Sequence, residues 1–328
     1  MMQHFVPFSR SCAGLALLAV GFSAALGRST ISNREKPFLT LKGHQSELAA
    51  TCFSSDGRLL ATADFRHIII LWDARTGARL RSFHHADYLF AATFTPDGKA
   101  LATGFRHGKV VFISTEDGHT LWEINTGLIC ANVLSFSADG RLLAVVGGNG
   151  VQVIDLSTDK IIQEFPQNQN PGGFSPDGGL LASAVPYPSQ DTIIRETVGW
   201  TEVTRIPGRE KKDSPDMPTS VGFSPDGAQV AVGTFQGDVA IWTTKGKMIW
   251  RSRSQHPMTT QMSFAANGSL LVSGGGETFK VWDATNGRRL WGGSVTLGVL
   301  RSMAVSPDSR TIALGTSEGT VELWHMHR

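Results

Sequence analysis

This chain has little net charge to work with. Its 328 residues carry 30 Lys and Arg against 28 Asp and Glu, a formal +2, and charged residues make up only 18%. That balance excludes the cationic field on which nucleic-acid or membrane-surface binding draws. Cysteine is scarce at three (Cys12, Cys52 and Cys130), which excludes a disulfide framework. No HExxH, CxxC or phosphate-loop pattern occurs. The sequence signatures of common metallopeptidase and nucleotide chemistries are therefore missing. The pair His325-x-His327 has no carboxylate or thiol beside it to complete a metal site. Catalytic residues, cofactors and metals are accordingly expected to be none.

A long apolar span is also missing. After Arg10, the one charged residue of the first 27, runs Ser11 to Gly27, which is 17 residues. A spanning helix needs about 20. The run and its small-residue end read as a signal peptide cut after Ala25 or Gly27, or as an N-terminal anchor through residues 11–27. Either reading predicts export, to the periplasm or the extracellular space. Residues 28–37 read as a polar linker ending at Pro37.

What the chain does have is glycine, at 36 residues, and a repeat. Phe174-Ser175-Pro176-Asp177-Gly178 returns as Phe223-Ser224-Pro225-Asp226-Gly227. Variants start at Phe53, Phe94, Phe136, Phe264 and Val305, at intervals of 41, 42, 38, 49, 41 and 41 residues along the seven copies. Each copy is a strand end and tight turn: Pro presets φ, Asp bonds back to the backbone and Gly accepts positive φ. Short β-prone runs flank it, then a third strand such as Ile68-Ile69-Ile70-Leu71-Trp72-Asp73, then a more polar fourth strand such as Arg79-Leu80-Arg81-Ser82-Phe83. Seven units of four antiparallel strands, at a period in the low forties, predict an all-β, seven-bladed β-propeller over residues 38–328. The last unit reaches only its third strand at Val321–His325, and Phe38-Leu39-Thr40-Leu41 has no unit of its own. The N-terminal strand is therefore expected to close the last blade.

The residues now reached resemble the WD-repeat (WD40) family. Leu71-Trp72-Asp73 and Val281-Trp282-Asp283 carry the WD dipeptide, and Gly43-His44 the upstream GH. The SPDG turns are similar to those of other bacterial propellers, lactonase-like ones included. Trp72, Trp242, Trp282 and Trp324 recur at one repeat position and read as inter-blade packing, while Trp122, Trp250 and Trp291 recur on the fourth strands and are expected to cover the outer rim. The resemblance implies an Asp–His–Ser–Trp hydrogen-bond network that is expected to be incomplete, since Arg66 and His107 stand where the turn Asp belongs. Cys52 and Cys130 are expected on the first strands of blades one and three, too far apart to pair.

Function is read at the end opposite the SPDG turns, where loops converge on the axis and the fourth repeat carries both its insertions. Glu47, Tyr88, Met217, Met258 and Val299, each before a first strand, are expected to line it. Arg66, His67, Arg106 and His107 come from two FRH turns on neighbouring blades and form a cationic candidate for an acidic group. Tyr187, with Arg209, Lys211 and Lys212, is a second candidate. The expectation is a monomeric, non-catalytic interaction scaffold that binds a protein or peptide partner on the loop face, with no nucleic acid and no membrane contact beyond the N-terminal anchor. The alternatives are a propeller enzyme with an axial active site, lactonase-like or peptide-processing, and a small-ligand-binding propeller.

Overall fold

The computed structural model describes residues 36–66, 68–85, 87–166, 170–185, 189–208, 216–255 and 261–326. Among them, 28 strands form seven four-stranded antiparallel sheets. Blade one consists of Leu48–Phe53, Leu59–Asp64, Ile68–Asp73 and Arg79–His84. Blades two to six repeat this over residues 89–125, 133–166, 170–206, 218–253 and 261–294. Blade seven takes Leu300–Val305, Thr311–Thr316 and Thr320–His325, and its fourth strand is Leu39–Lys42. The first strands of neighbouring blades pack side by side, blade one against blade seven included, so the ring closes. None of the described helices is long and apolar enough to cross a membrane.

The closing strand pairs Leu39 with Leu323 and Lys42 with Thr320. Phe38 adds one bond, its N–H donating to the Leu323 carbonyl at 2.9 Å. Leu41 enters the core beside Trp72 and Leu323. Phe38 remains exposed and stacks on His325, with ring centres 4.0 Å apart.

The third strands read as unbroken apolar runs because they are buried on both faces. Ile69 and Leu71 pack into the seam with blade two, while Ile70 and Trp72 pack into the seam with blade seven. Outside them the ladder slips at one place in six blades, as between Leu71 and Trp72, and Phe112 and Ile113. The extra residues of these bulges are Leu80, Leu121, Ile162, Val203, Ile249 and Leu290, the first five exposed on the rim.

Two placements differ from the sequence expectation. Cys130 lies before the first strand of blade three, which starts at Val133. It forms no disulfide, nor does Cys52, whose thiol burial pushes up to about 12. Trp250 is not a rim cover. It is buried, donates its indole N–H to the Ala284 carbonyl of blade six at 2.7 Å, and stacks on Trp282.

Candidate functional site

The two ends of the ring are built differently. At the SPDG end, each turn is closed by its own side chains. Ser224 Oγ donates to Asp226 Oδ1 at 2.5 Å and accepts the Gln229 N–H at 2.9 Å, while Asp226 Oδ1 accepts the Ala228 N–H. The same arrangement holds at Ser54, Thr95, Ser137, Ser175 and Ser306. In each turn that hydroxyl or backbone bonding holds the Asp carboxyl below its ordinary value. Neighbouring turns also touch. A Cβ on Gly57 would lie 3.5 Å from Pro307, one on Gly140 3.4 Å from Pro96 and one on Gly268 3.6 Å from Pro225. In this belt, the proline of one blade covers the glycine of the next.

At the other end, lead-in loops are stitched to the turns between second and third strands. The carbonyls of Glu47, Tyr88, Met217 and Val299 accept the N–H groups of Phe65, Arg106, Phe235 and Ser317, respectively. The expected lining residues are thus placed on this face by their backbone. Their side chains diverge. Glu47 forms an ion pair with Arg301 at 2.7 Å, Tyr88 is exposed, and Met217 is half-buried. His67, Tyr187, Arg209, Lys211, Lys212 and Met258 lie outside the described residues.

The two FRH turns do not superpose letter for letter; Arg66 and His107 share one place. Asp64 ends its strand and Phe65 stands in the turn, whereas Phe105 ends the corresponding strand and is buried. Blade two is shifted by one residue, so that Arg106 takes the place of Phe65 and His107 that of Arg66. His107 adopts φ +59°.

The hydrogen-bond network expected to be incomplete is complete in blade one. His44 Nδ1 meets Asp64 Oδ2 at 3.0 Å, and His44 Nε2 meets Thr62 Oγ1 at 2.7 Å. Trp72 Nε1 donates to the same hydroxyl at 2.8 Å. Asp64, at the end of the strand rather than in the turn, supplies the carboxylate. Burial alone would raise its pKa, but bonds from His44 and the Ile68 and Arg66 amides outweigh it and hold the carboxyl low. Blade two replaces this pair with His85 edge-on to Phe105 at 5.1 Å. Blade six keeps Trp282 on Ser273, and blade seven gives Trp324 to Glu322. In blade four, Arg195 holds the tryptophan position. It donates to Ser183 at 3.3 Å and lies 4.5 Å over the Phe165 ring. At the seam of blades four and five, a cavity of about 20 Å³ is lined by Thr192, Asp216, Thr234 and Trp242, among others. The Thr192 hydroxyl there is buried without a partner.

Sequence reasoning missed the apolar side chains of the loop face. Phe65 and Phe90 meet edge-to-face at 5.9 Å across blades one and two. Ile129, Phe235 and Leu297 are exposed on loops of blades three, five and seven. The phenylalanine of FRH was the available signal, but its exposure depends on a register that the letters do not reveal.

A family profile described as "WD domain, G-beta repeat" matches residues 35–73, and one described as "Outer membrane protein assembly factor BamB" matches residues 196–323. Telomerase protein component 1 of Rattus norvegicus is 28% identical over 86% of this chain, which spans 11% of that protein. WD repeat-containing protein 90 of Homo sapiens is 24% identical over 98% of this chain and 20% of its own length. An uncharacterized WD repeat-containing protein of Synechocystis is 24% identical over 71% of this chain and 67% of its own length. With seven closed four-stranded blades, the WD dipeptides and a complete His44–Asp64–Thr62–Trp72 network, the chain is similar to the WD-repeat β-propellers.

Proposed function

We propose that this protein is a non-catalytic scaffold that holds a protein or peptide partner on its loop face. The observation that carries the reading is the asymmetry of the two ends. The SPDG end uses its polar side chains on its own turns and exposes Val198, whereas the loop end presents Tyr88, Ile129, Phe235 and Leu297 to solvent. Apolar side chains grouped on one exposed face mark an interaction surface. The relatives point the same way in part: "Pre-mRNA-processing factor 19 homolog 2" of Arabidopsis thaliana, 25% identical over 63% of this chain, is named for processing, and the two relatives covering most of the chain are far larger proteins.

The scaffold acts outside the cytoplasm, a reading supported by the charge-free run that follows Arg10. The test is affinity capture from the native compartment with the whole chain as bait, followed by mass spectrometry. Replacing Tyr88, Ile129, Phe235 and Leu297 together by Asp should lose the captured partner, while Arg58→Glu with Lys99→Glu on the SPDG end should retain it. Equal retention by both variants would overturn the loop-face assignment. Sequencing the N-terminus of the protein purified from its source should start it after Ala25 or Gly27, or find it in the membrane fraction. A soluble cytoplasmic protein beginning at Met1 would overturn export.

A further inference from the structure

We propose that the loop face of blades one to three takes a short, extended acidic peptide with an apolar side chain between its carboxylates. This rests on the loop face being the partner face and narrows it to one sector and one chemistry.

The sector is a continuous strip. Phe65 of blade one packs edge-to-face on Phe90 of blade two. Tyr88, two residues before Phe90, is 48% exposed, and its carbonyl holds the Arg106 amide at 3.1 Å. The next amide, His107, donates to the Ile129 carbonyl of blade three at 2.9 Å, and Ile129 is itself 40% exposed. The turn of blade two is thus tied on both sides, so the apolar side chains are held in place before anything binds. Pre-ordered groups lose less entropy on association.

Charge decides the occupant. Arg66 and Arg106 flank the apolar strip, both exposed, and neither guanidinium has an ion-pair or hydrogen-bond partner among the described residues. Some other cations are paired, Arg301 with Glu47, Lys109 with Glu123, Arg141 with Asp155 and Arg205 with Asp191. Of the carboxylates near the strip, Glu47 is ion-paired with Arg301, and Asp87 accepts the Tyr88 amide but keeps its charge. On the other side of blade one, the turns of blades seven and six carry Glu318 and Glu277. A long polyanion running on past blade one would meet that acidic side. A short acidic segment lying over blades one to three meets the two guanidiniums, which can each receive a carboxylate in bidentate geometry.

The test is selection of phage-displayed random peptides on the immobilised whole chain, followed by affinity measurement of the synthesised winners. The expected winners carry Asp or Glu on both sides of an aromatic or aliphatic residue. Their affinity should fall about tenfold in Arg66→Glu with Arg106→Glu, and weaken as salt rises, as exposed charge pairs do. The melting temperature should stay unchanged, because neither side chain has a partner to lose. Arg58→Glu with Lys99→Glu should leave the affinity unchanged. Basic or neutral winners would overturn the acidic-peptide proposal. So would winners indifferent to the arginine reversals but lost in Phe235→Asp with Leu297→Asp, although the loop-face reading would then stand. Winners lost only in the SPDG-end variant would overturn both. If no peptide is enriched, the strip is not a peptide site, and the capture experiment alone decides the wider reading.

Discussion

Ser224 shows how one hydroxyl fixes a turn. It donates to Asp226 and accepts the Gln229 amide, while Asp226 accepts the Ala228 amide. Ser224→Ala therefore removes two bonds and releases a carboxylate from its partner. A net loss of about 1–2 kcal/mol is expected in urea unfolding, at about 0.5–1.5 kcal/mol per bond. Blade six supplies an internal control. Ala265 stands at the serine position there, and Ser269 instead bonds Asn267. Ala265→Ser should therefore gain much less than Ser224→Ala loses. The six turn aspartates share one titration consequence. Their folded carboxyls titrate below the ordinary value of 3.8. A depressed folded pKa gives stability that is present above the unfolded value and lost as pH falls through the folded one. Asp155 belongs to the same group, held at about 2 by Arg141 first and Ser157 second. Unfolding free energy should thus be nearly flat from neutral pH to about 5 and fall as pH drops through and below 3.8. A midpoint of acid unfolding above pH 5 would contradict this.

Between residues and the ring stand the blades, and here the sequence was unequally readable. The strands were legible because turn and apolar run alternate on a fixed period. The network around Trp72 was not, because Asp64 looks in sequence like a strand residue, and only the fold brings it to His44. In the FRH turns identical letters sit one register step apart, and that step leaves Phe65 half-buried where Phe105 is buried. The cationic candidates on residues 209–212 lie outside the described structure, so that part of the site rests on sequence alone. Bulges were illegible too, since nothing in Arg79-Leu80-Arg81 distinguishes an extra residue from a paired one. Their placement does predict behaviour. Leu121 is an exposed bulge residue on an edge strand, where irregularity discourages further pairing. Leu121→Lys should shift stability by no more than about 0.5 kcal/mol. Trp250, also on a fourth strand, is buried against Gly287 and Trp282. Trp250→Ala should cost about 3–5 kcal/mol. Gly287→Ala should also destabilise, because φ is +73° and the new methyl would stand 2.6 Å from the Trp250 ring. Urea melts of the three variants test the ordering, and a Leu121→Lys loss equal to that of Trp250→Ala would refute it.

For the whole molecule, the decisive element is the one that joins first and last. Without Leu39–Lys42, the third strand of blade seven, Thr320–His325, would have an unpaired edge, which invites association with other chains. The strand supplies ladder bonds to residues 320–323 and the Phe38 amide bond, each about 1 kcal/mol net. Leu41 is buried, which is worth about 1.5–3 kcal/mol. Leu39 and Leu41 also cover Gly77 of blade one, so the strand seals the seam between the first and last blades. Phe38 contributes less than full burial would give, since it lies on the surface against His325. The total remains a large share of the roughly 5–15 kcal/mol that stabilises a domain. A chain starting at Lys36 should therefore melt within a few degrees of the full chain. A chain starting at Gly43 keeps the Gly43-His44 pair but loses the strand, and should be aggregated or melt far lower. Adding a peptide of residues 36–42 to it should restore part of the loss by pairing in the vacated place. If the two truncated chains melt alike, the ring does not depend on this strand for closure.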